Sequence, residues 1–502
     1  MSTKVSVAKN AVILMGTQMT TWVMSLLLTI FLPRYLGPAA VGQYHFSNSI
    51  WAILAILASL GMDTYLTKEA ARRPENVGGM VWNSALLRIL FYLLCVGGLA
   101  LYLEAFKYPV ETRMVAYVIG ISSLIWMLIS VIQSVLIGFE SMKYVSLGNI
   151  AGRIVGTVVS ITLLLLGQKI VVIASVNILS ALITLAIEFI FLKRIVAIPV
   201  HINLQEMWHL VKGGLPYLLS GVFLVLYLQF DFVIISLLVD DKTVGWYGAA
   251  DTLFGTLLFV PTVLMTAVFP VLSRMYVNDK EGLPRVTRKS FDLLVILGIP
   301  IGLGVIAAAN STVLLLFGAQ FTQSGPVLSL FGVVVILTYL TTFLGQFLIS
   351  VDRQNQWTIV MAVATAVTLL LDLWLVPWCA QTFSNGALGG AISFIVTEGG
   401  MLVAGLLMMP KGILGRANLW LALRAILSGL VMLASIWWIR SLPILNIYVF
   451  ILILVVGALV YLLMGWILRL ITPEDGAIFK NLVAGILSKF KSRRTPDENQ
   501  SF

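Results

Sequence analysis

Charge is what this sequence has least of. Only 11% of its 502 residues are Asp, Glu, Lys or Arg, against about a quarter in a soluble domain. That scarcity excludes a water-soluble fold. The two cysteines, Cys95 and Cys379, leave no material for a disulfide framework or a thiolate metal cluster. His45, His201 and His209 form no evident cluster, and no Gly-rich phosphate loop is present, so neither metal chemistry nor nucleotide hydrolysis is expected of the chain itself.

What is abundant is apolar sequence: 60% of residues are hydrophobic, with a mean hydropathy of +1.01. A bilayer core is crossed by roughly 20 apolar residues, and runs of about that length recur along the whole chain. Lipid offers no partner to an open backbone group, and the runs are too long for barrel strands, so all spans are expected to be helical. Polar and turn-rich breaks give fourteen: 10–32, 45–66, 80–103, 114–138, 145–166, 168–191, 213–238, 247–272, 290–317, 326–351, 356–376, 387–409, 419–439 and 444–468. The first ten residues run straight into an apolar stretch with no small-residue cleavage site, which reads as a retained first span.

Alternating the connections between two sides separates the charges. Of 32 Lys and Arg residues, six (Arg34, Lys107, Arg113, Lys169, Lys242, Arg440) fall on one side and three (Arg88, Arg153, Arg424) within spans; all others share the side of both termini. The positive-inside rule makes that side cytoplasmic, in a cell membrane. The net charge of +10 is thereby explained without nucleic acid. After the last span, Ile478, Phe479, Leu482, Val483, Ile486, Leu487 and Phe490 share one helical face, which predicts a helix lying on the inner leaflet, followed by a disordered tail from Ser492.

The pattern V-G-x-Y occurs at Val41–Tyr44 and again 203 residues later at Val244–Tyr247, each time just before or at the start of the second span of a group of six. This argues for a duplication. The expected organisation is a lobe of six helices over 1–191, a linker over 192–212, a second six-helix lobe over 213–409, two extra spans over 410–468, and a tail over 469–502. Two such bundles around a central cavity are transporter architecture.

With these features in place, the sequence resembles the polysaccharide exporter and oligosaccharide flippase branch (O-antigen flippase-like) of the multidrug, oligosaccharidyl-lipid and polysaccharide exporter superfamily. The resemblance rests on Arg34-Tyr-Leu-Gly-Pro-Ala-Ala-Val-Gly-Gln-Tyr44, Ala58-Ser-Leu-Gly-Met-Asp63, Thr67-Lys-Glu-Ala-Ala-Arg72, Phe230-Asp231, Val244-Gly-Trp-Tyr-Gly-Ala-Ala250 and Leu316-Phe-Gly318. It covers nearly the whole chain, and its motifs are mostly structural. It implies a fourteen-helix, two-lobed flippase that carries a polyprenyl-pyrophosphate-linked oligosaccharide outward for cell-surface polysaccharide synthesis. It also implies H+ or Na+ coupling, no ATP and no cofactor. A polysaccharide polymerase or glycosyltransferases are the partners such a protein would serve. The alternative is a cation-coupled multidrug or toxin exporter of the same superfamily. An enzyme is disfavoured, because every outer connection is about a dozen residues or fewer and none can hold a catalytic domain.

An ionisable group within a span is a functional candidate by default. Arg88, Arg153 and Arg424 lie about 8 to 12 Å in from the cytoplasmic ends at helical rise, and a guanidinium matches phosphate oxygens bidentately. They are candidates for the pyrophosphate, with Arg34 on the outer side. The competing expectation is that each snorkels or pairs with a carboxylate. Glu398, Asp231, Asp251 and Asp372 are candidates for ion coupling, since a buried carboxylate can take up a cation on one side and release it on the other; the competing role is a hydrogen bond between helices. Asn48, Asn83, Asn149, Gln229 and Gln346 are candidates for the sugar-facing cavity, with Trp51, Tyr227 and Trp246 as stacking surfaces.

Overall fold

The computed structural model describes residues 3–198, 200–440 and 447–470; the expected amphipathic helix after 471 and the tail lie outside them. Among the described residues the chain is all-helical: α1 (Thr3–Ser59), α2 (Met62–Arg72), α3 (Val77–Ala105), α4 (Val110–Gly138), α5 (Met142–Leu165), α6 (Ile170–Ile195), α7 (Leu204–Leu238), α8 (Asp241–Leu257), α9 (Phe259–Asn278), α10 (Leu283–Leu316), α11 (Ser324–Ser350), α12 (Gln354–Phe383), α13 (Ala387–Met408), α14 (Arg416–Arg440) and α15 (Ile447–Ile467).

Thirteen stretches are long and apolar enough to cross a membrane, and one of them is Met19–Ser59. At 1.5 Å per residue its 41 residues would run about 60 Å, twice a bilayer core. Gly37, at φ 77° and ψ 171° between Pro33 and Pro38, breaks it. The left-handed φ is one that glycine adopts without penalty, so α1 makes two crossings and the expected fourteen spans are recovered.

Two expected boundaries move. The linker over 192–212 is mostly helical: α7 starts at Leu204, where the Asn203 side chain caps it by accepting from the Gln205 and Glu206 amides. This first stretch of α7 is strapped to α3, because Asn83 Nδ2 donates to Glu206 Oε2 at 2.6 Å and Asn83 Oδ1 accepts from the Asn203 amide at 3.1 Å. Met207 and Leu210 sink into an apolar cluster with Met62, Leu66, Val145 and Leu192, while Trp208 stays exposed.

The eighth span is broken at Leu258, where α8 hands over to α9. Pro261 has no amide hydrogen to give the Leu257 carbonyl, which instead accepts from the Tyr339 hydroxyl at 2.8 Å.

The two V-G-x-Y copies meet. A methyl on Gly42 would lie 1.6 Å from the Asp241 carbonyl oxygen, and one on Gly245 would lie 1.8 Å from that of Pro38, so the backbones of α1 and α8 touch here. Around the contact, Thr112 Oγ1 donates to Asp241 Oδ2 at 2.7 Å and Trp246 Nε1 to the Gln320 carbonyl at 3.2 Å. Tyr108 stacks on Phe46 with centroids 4.9 Å apart, and burial holds its phenol far above the usual range. This end of the molecule is closed between the two halves. At the other, basic end, Gly61 packs against the backbone of Gly214 and Leu218.

Candidate functional site

The four carboxylates picked from the sequence lie on four helices of the second half and converge. Asp231 (α7) and Asp372 (α12) face each other, with Asp251 (α8) near Asp231. Asp231 Oδ2 accepts a hydrogen bond from the buried Tyr247 hydroxyl. Asp231 Oδ1 and both oxygens of Asp372 find no donor; Ser393 stands beside Asp372 but gives its hydrogen to the Gly389 carbonyl. Glu398 (α13) is held by Tyr227 at 3.0 Å and by Thr341 at 2.6 Å. Phe232, Phe331 and Phe394 close around the two tyrosines, with centroids 5.1, 5.4 and 5.6 Å from them.

Two carboxylates side by side in a low-dielectric interior cannot both be ionised unless a proton or another cation is shared between them. No group of three His, Cys, Asp or Glu side chains able to hold a metal occurs among the described residues. The cluster is close to the seam between the halves, because His45 of α1 stacks on Phe232 at 5.4 Å and 9°.

The arginines do not converge. Arg88 is fully enclosed: its guanidinium pairs with Asp63 at 2.7 Å, donates to the Met127 carbonyl at 2.7 Å, and bonds Ser130. It pins α3 to α2 and α4, which is the pairing alternative and not an open anion site. Arg153 of α5 has no carboxylate partner among the described contacts. One guanidinium nitrogen donates to Ser25 of α1, and its Nε is buried without an acceptor. Arg424 is exposed on α14, a helix that packs on α10 and α15, and Arg34 is exposed near the closed end.

The amide set also divides. Asn83 is consumed by the linker strap described above, so it faces no cavity. Asn149 accepts from Gln133 at 3.2 Å. Asn48 is exposed and donates to the Tyr44 carbonyl, and Gln229 and Gln346 are half-buried. None of the three aromatics offers a free face: Trp51 bonds the Ala116 carbonyl and stacks on Tyr92, Tyr227 holds Glu398, and Trp246 is covered by Lys242.

One feature had no signal in the sequence. A cavity of about 1150 Å³ lies between α8, α10, α14 and α15, with walls that include Leu293, Ile301, Leu454 and Leu462. Arg288, Lys289 and Asp292 are its charged lining. Arg288 is tied to the Gly412 and Ile413 carbonyls, and Asp292 accepts from Asn418 at 2.7 Å. Each wall residue reads as an ordinary lipid-facing position, and only the gap between helices makes them a site.

Residues 7–276 match the family described as polysaccharide biosynthesis protein, more than half of the chain. The chain belongs to this family. It is 24% identical over 352 residues to the succinoglycan biosynthesis transport protein ExoT of Rhizobium meliloti (strain 1021), covering 66% of this chain and 68% of that one. Its fold is that of the lipid II flippase MurJ in an inward closed conformation (TM-score 0.71, 14% identity, 92% and 98% of the two chains). An inward-facing multidrug resistance MATE family transporter of the MOP superfamily is similar over 83% and 94% (TM-score 0.60, 16% identity). This family member thus shares its helical membrane fold with proteins named as transporters and flippases.

Proposed function

We propose that the protein moves a lipid-linked, polyprenyl-pyrophosphate oligosaccharide from the inner to the outer leaflet of the cytoplasmic membrane for cell-surface polysaccharide synthesis. The observation that carries this reading is the apolar cavity between α10, α14 and α15 with cationic residues in its lining. A soluble solute has no need of it, whereas a long isoprenoid chain buries its surface there at about 25 cal/mol per Å².

Arg153, a half-buried cation with no carboxylate among its described contacts, is the arginine best placed for the pyrophosphate. Alternation would open the glycine contact between α1 and α8. The Asp231–Asp372 cluster would drive it by exchanging H+ or Na+, communicating with the seam through Phe232 and His45. The two termini would face the cytoplasm, by the charge asymmetry of the connections. The acidic cluster also suits a second reading, a cation-coupled exporter of soluble drugs or toxins.

The test is transbilayer movement of a lipid-pyrophosphate oligosaccharide in vesicles containing the purified protein, beside Arg153→Ala. Movement lost in the variant supports the flippase reading. No movement of any such lipid, together with gradient-driven efflux of an organic cation, would replace it with the exporter.

A further inference from the structure

Away from the carboxylate cluster, the first half fully buries one acidic side chain that nothing above uses, Glu188 of α6. Its Oε1 accepts from Gln133 Nε2 of α4 at 2.9 Å, and the same nitrogen reaches Asn149 Oδ1 of α5 at 3.2 Å. Its Oε2 has no partner. The surroundings are shaped to fit it. Gly148 of α5 leaves the space the carboxyl arm fills, since a methyl there would come within 2.7 Å of Glu188 Cγ.

Among the described side chains no countercharge answers it. The helices packed on α6 are α4, α5 and α1. On α4 the facing group is Gln133. On α5 they are Gly148 and Asn149, while Arg153 is turned to Ser25 and Lys143 lies over Tyr144. On α1, Tyr44 accepts from Asn177. Lys193 and Arg194, on α6 itself, lie over Phe189 and Phe191. An ionised carboxylate so placed is among the costliest groups to bury. A sodium ion is poorly served, because the Gln133 amide already donates to Glu188 Oε1 and Asn149 Oδ1 and leaves it Glu188 Oε2 alone.

We propose that Glu188 is a proton-carrying site in the first half of the protein, separate from the Asp231–Asp372 cluster. The packing of α4, α5 and α6 is then tied to the protonation of one residue. The use of that proton in transport rests on the proposed function; its binding does not.

The experiment is pH-difference infrared spectroscopy of the purified full-length protein in lipid nanodiscs, in potassium buffer. We expect a protonated-carboxyl carbonyl band that titrates, is lost in Glu188→Gln, and persists in the Asp231→Asn/Asp372→Asn double variant. A spectrum unchanged by Glu188→Gln overturns the proposal, as does loss of the same band on adding sodium at constant pH. Should Glu188→Gln not fold, Gln133→Leu removes the amide donor alone and must shift the midpoint of the band; an unmoved midpoint overturns the proposal equally. Because no lipid has to move, the result stands apart from success or failure of the flippase assay.

Discussion

Gly42 and Gly245, 203 positions apart in one chain, interlock so closely that neither can carry a methyl group without overlapping the backbone of the other's helix. The repeated motif is therefore its own partner. Its first copy sits on α1 after the Gly37 break and its second at the start of α8, and together they shut one end of the molecule.

Overpacking at this contact should open it. Inserting a methylene into a packed site costs about 1 to 3 kcal/mol, a shift of roughly 5- to 150-fold between closed and open forms. Gly245→Ala is expected to raise thiol labelling of a cysteine placed at the buried Thr112, in a background with Cys95 and Cys379 replaced by serine. Gly255→Ala, where a methyl meets nothing within 4 Å, should leave labelling unchanged. Equal labelling in both variants would show that the glycine contact is not the closure.

The Arg88–Asp63 pair predicts an asymmetry. Arg88 is completely buried, whereas the Asp63 side chain is 43% exposed. Removing the carboxylate leaves a cation stranded in the interior, at about 3 to 5 kcal/mol for an uncompensated buried charge. Removing the arginine leaves a carboxylate that water can reach. Asp63→Asn should therefore lower the melting temperature of the detergent-solubilised protein more than Arg88→Leu does. The reverse order would mean that Arg88 is held chiefly by Met127 and Ser130.

These residues also show what the sequence could convey. The spans were legible because a bilayer demands long apolar runs, and the repeated V-G-x-Y motif was visible although the meeting of its two copies was not. The convergence of Asp231, Asp251, Asp372 and Glu398 was foreshadowed only as four separate charges, since helix packing across 167 residues has no period to read. Arg88 and Arg153 look alike in sequence, each a lone cation one or two turns into a span. Asp63, 25 residues from Arg88, gives that one a carboxylate partner, whereas the other finds the Ser25 hydroxyl. The α10–α14–α15 cavity was illegible for a different reason. A residue facing a cleft and one facing lipid are chosen by the same hydrophobic preference.

Neutralising the carboxylate cluster should uncouple the protein without unfolding it. Asp372→Asn keeps the shape and removes the charge opposed to Asp231. Movement of substrate down its own gradient is then expected to persist, while stimulation by an imposed H+ or Na+ gradient falls to the level seen with no gradient. Testing each ion separately in vesicles identifies which is used. Full stimulation in both Asp372→Asn and Asp231→Asn would remove the cluster from the coupling mechanism.

The cavity offers the sharpest test of what the substrate carries. Ala458 of α15 is one of its lining residues, and its small side chain leaves the room that a chain of isoprene units would fill. Ala458→Trp places a large ring in that space. Leu459, the next residue and about 100° round the helix, is exposed on α15 and is no part of the cavity lining, so Leu459→Trp adds the same ring outside it. If the tail lies in the cavity, Ala458→Trp should slow movement of a long-chain carrier by about tenfold or more, the equivalent of roughly 1.4 kcal/mol of lost contact. A short-chain analogue bearing the same sugar should be affected little, because its tail does not reach that far. Leu459→Trp should behave as the parent with both. Equal slowing of long and short chains by Ala458→Trp would instead mean that the ring jams the motion of α14 and α15 against α10, and the cavity would then be a hinge clearance and not a tail site.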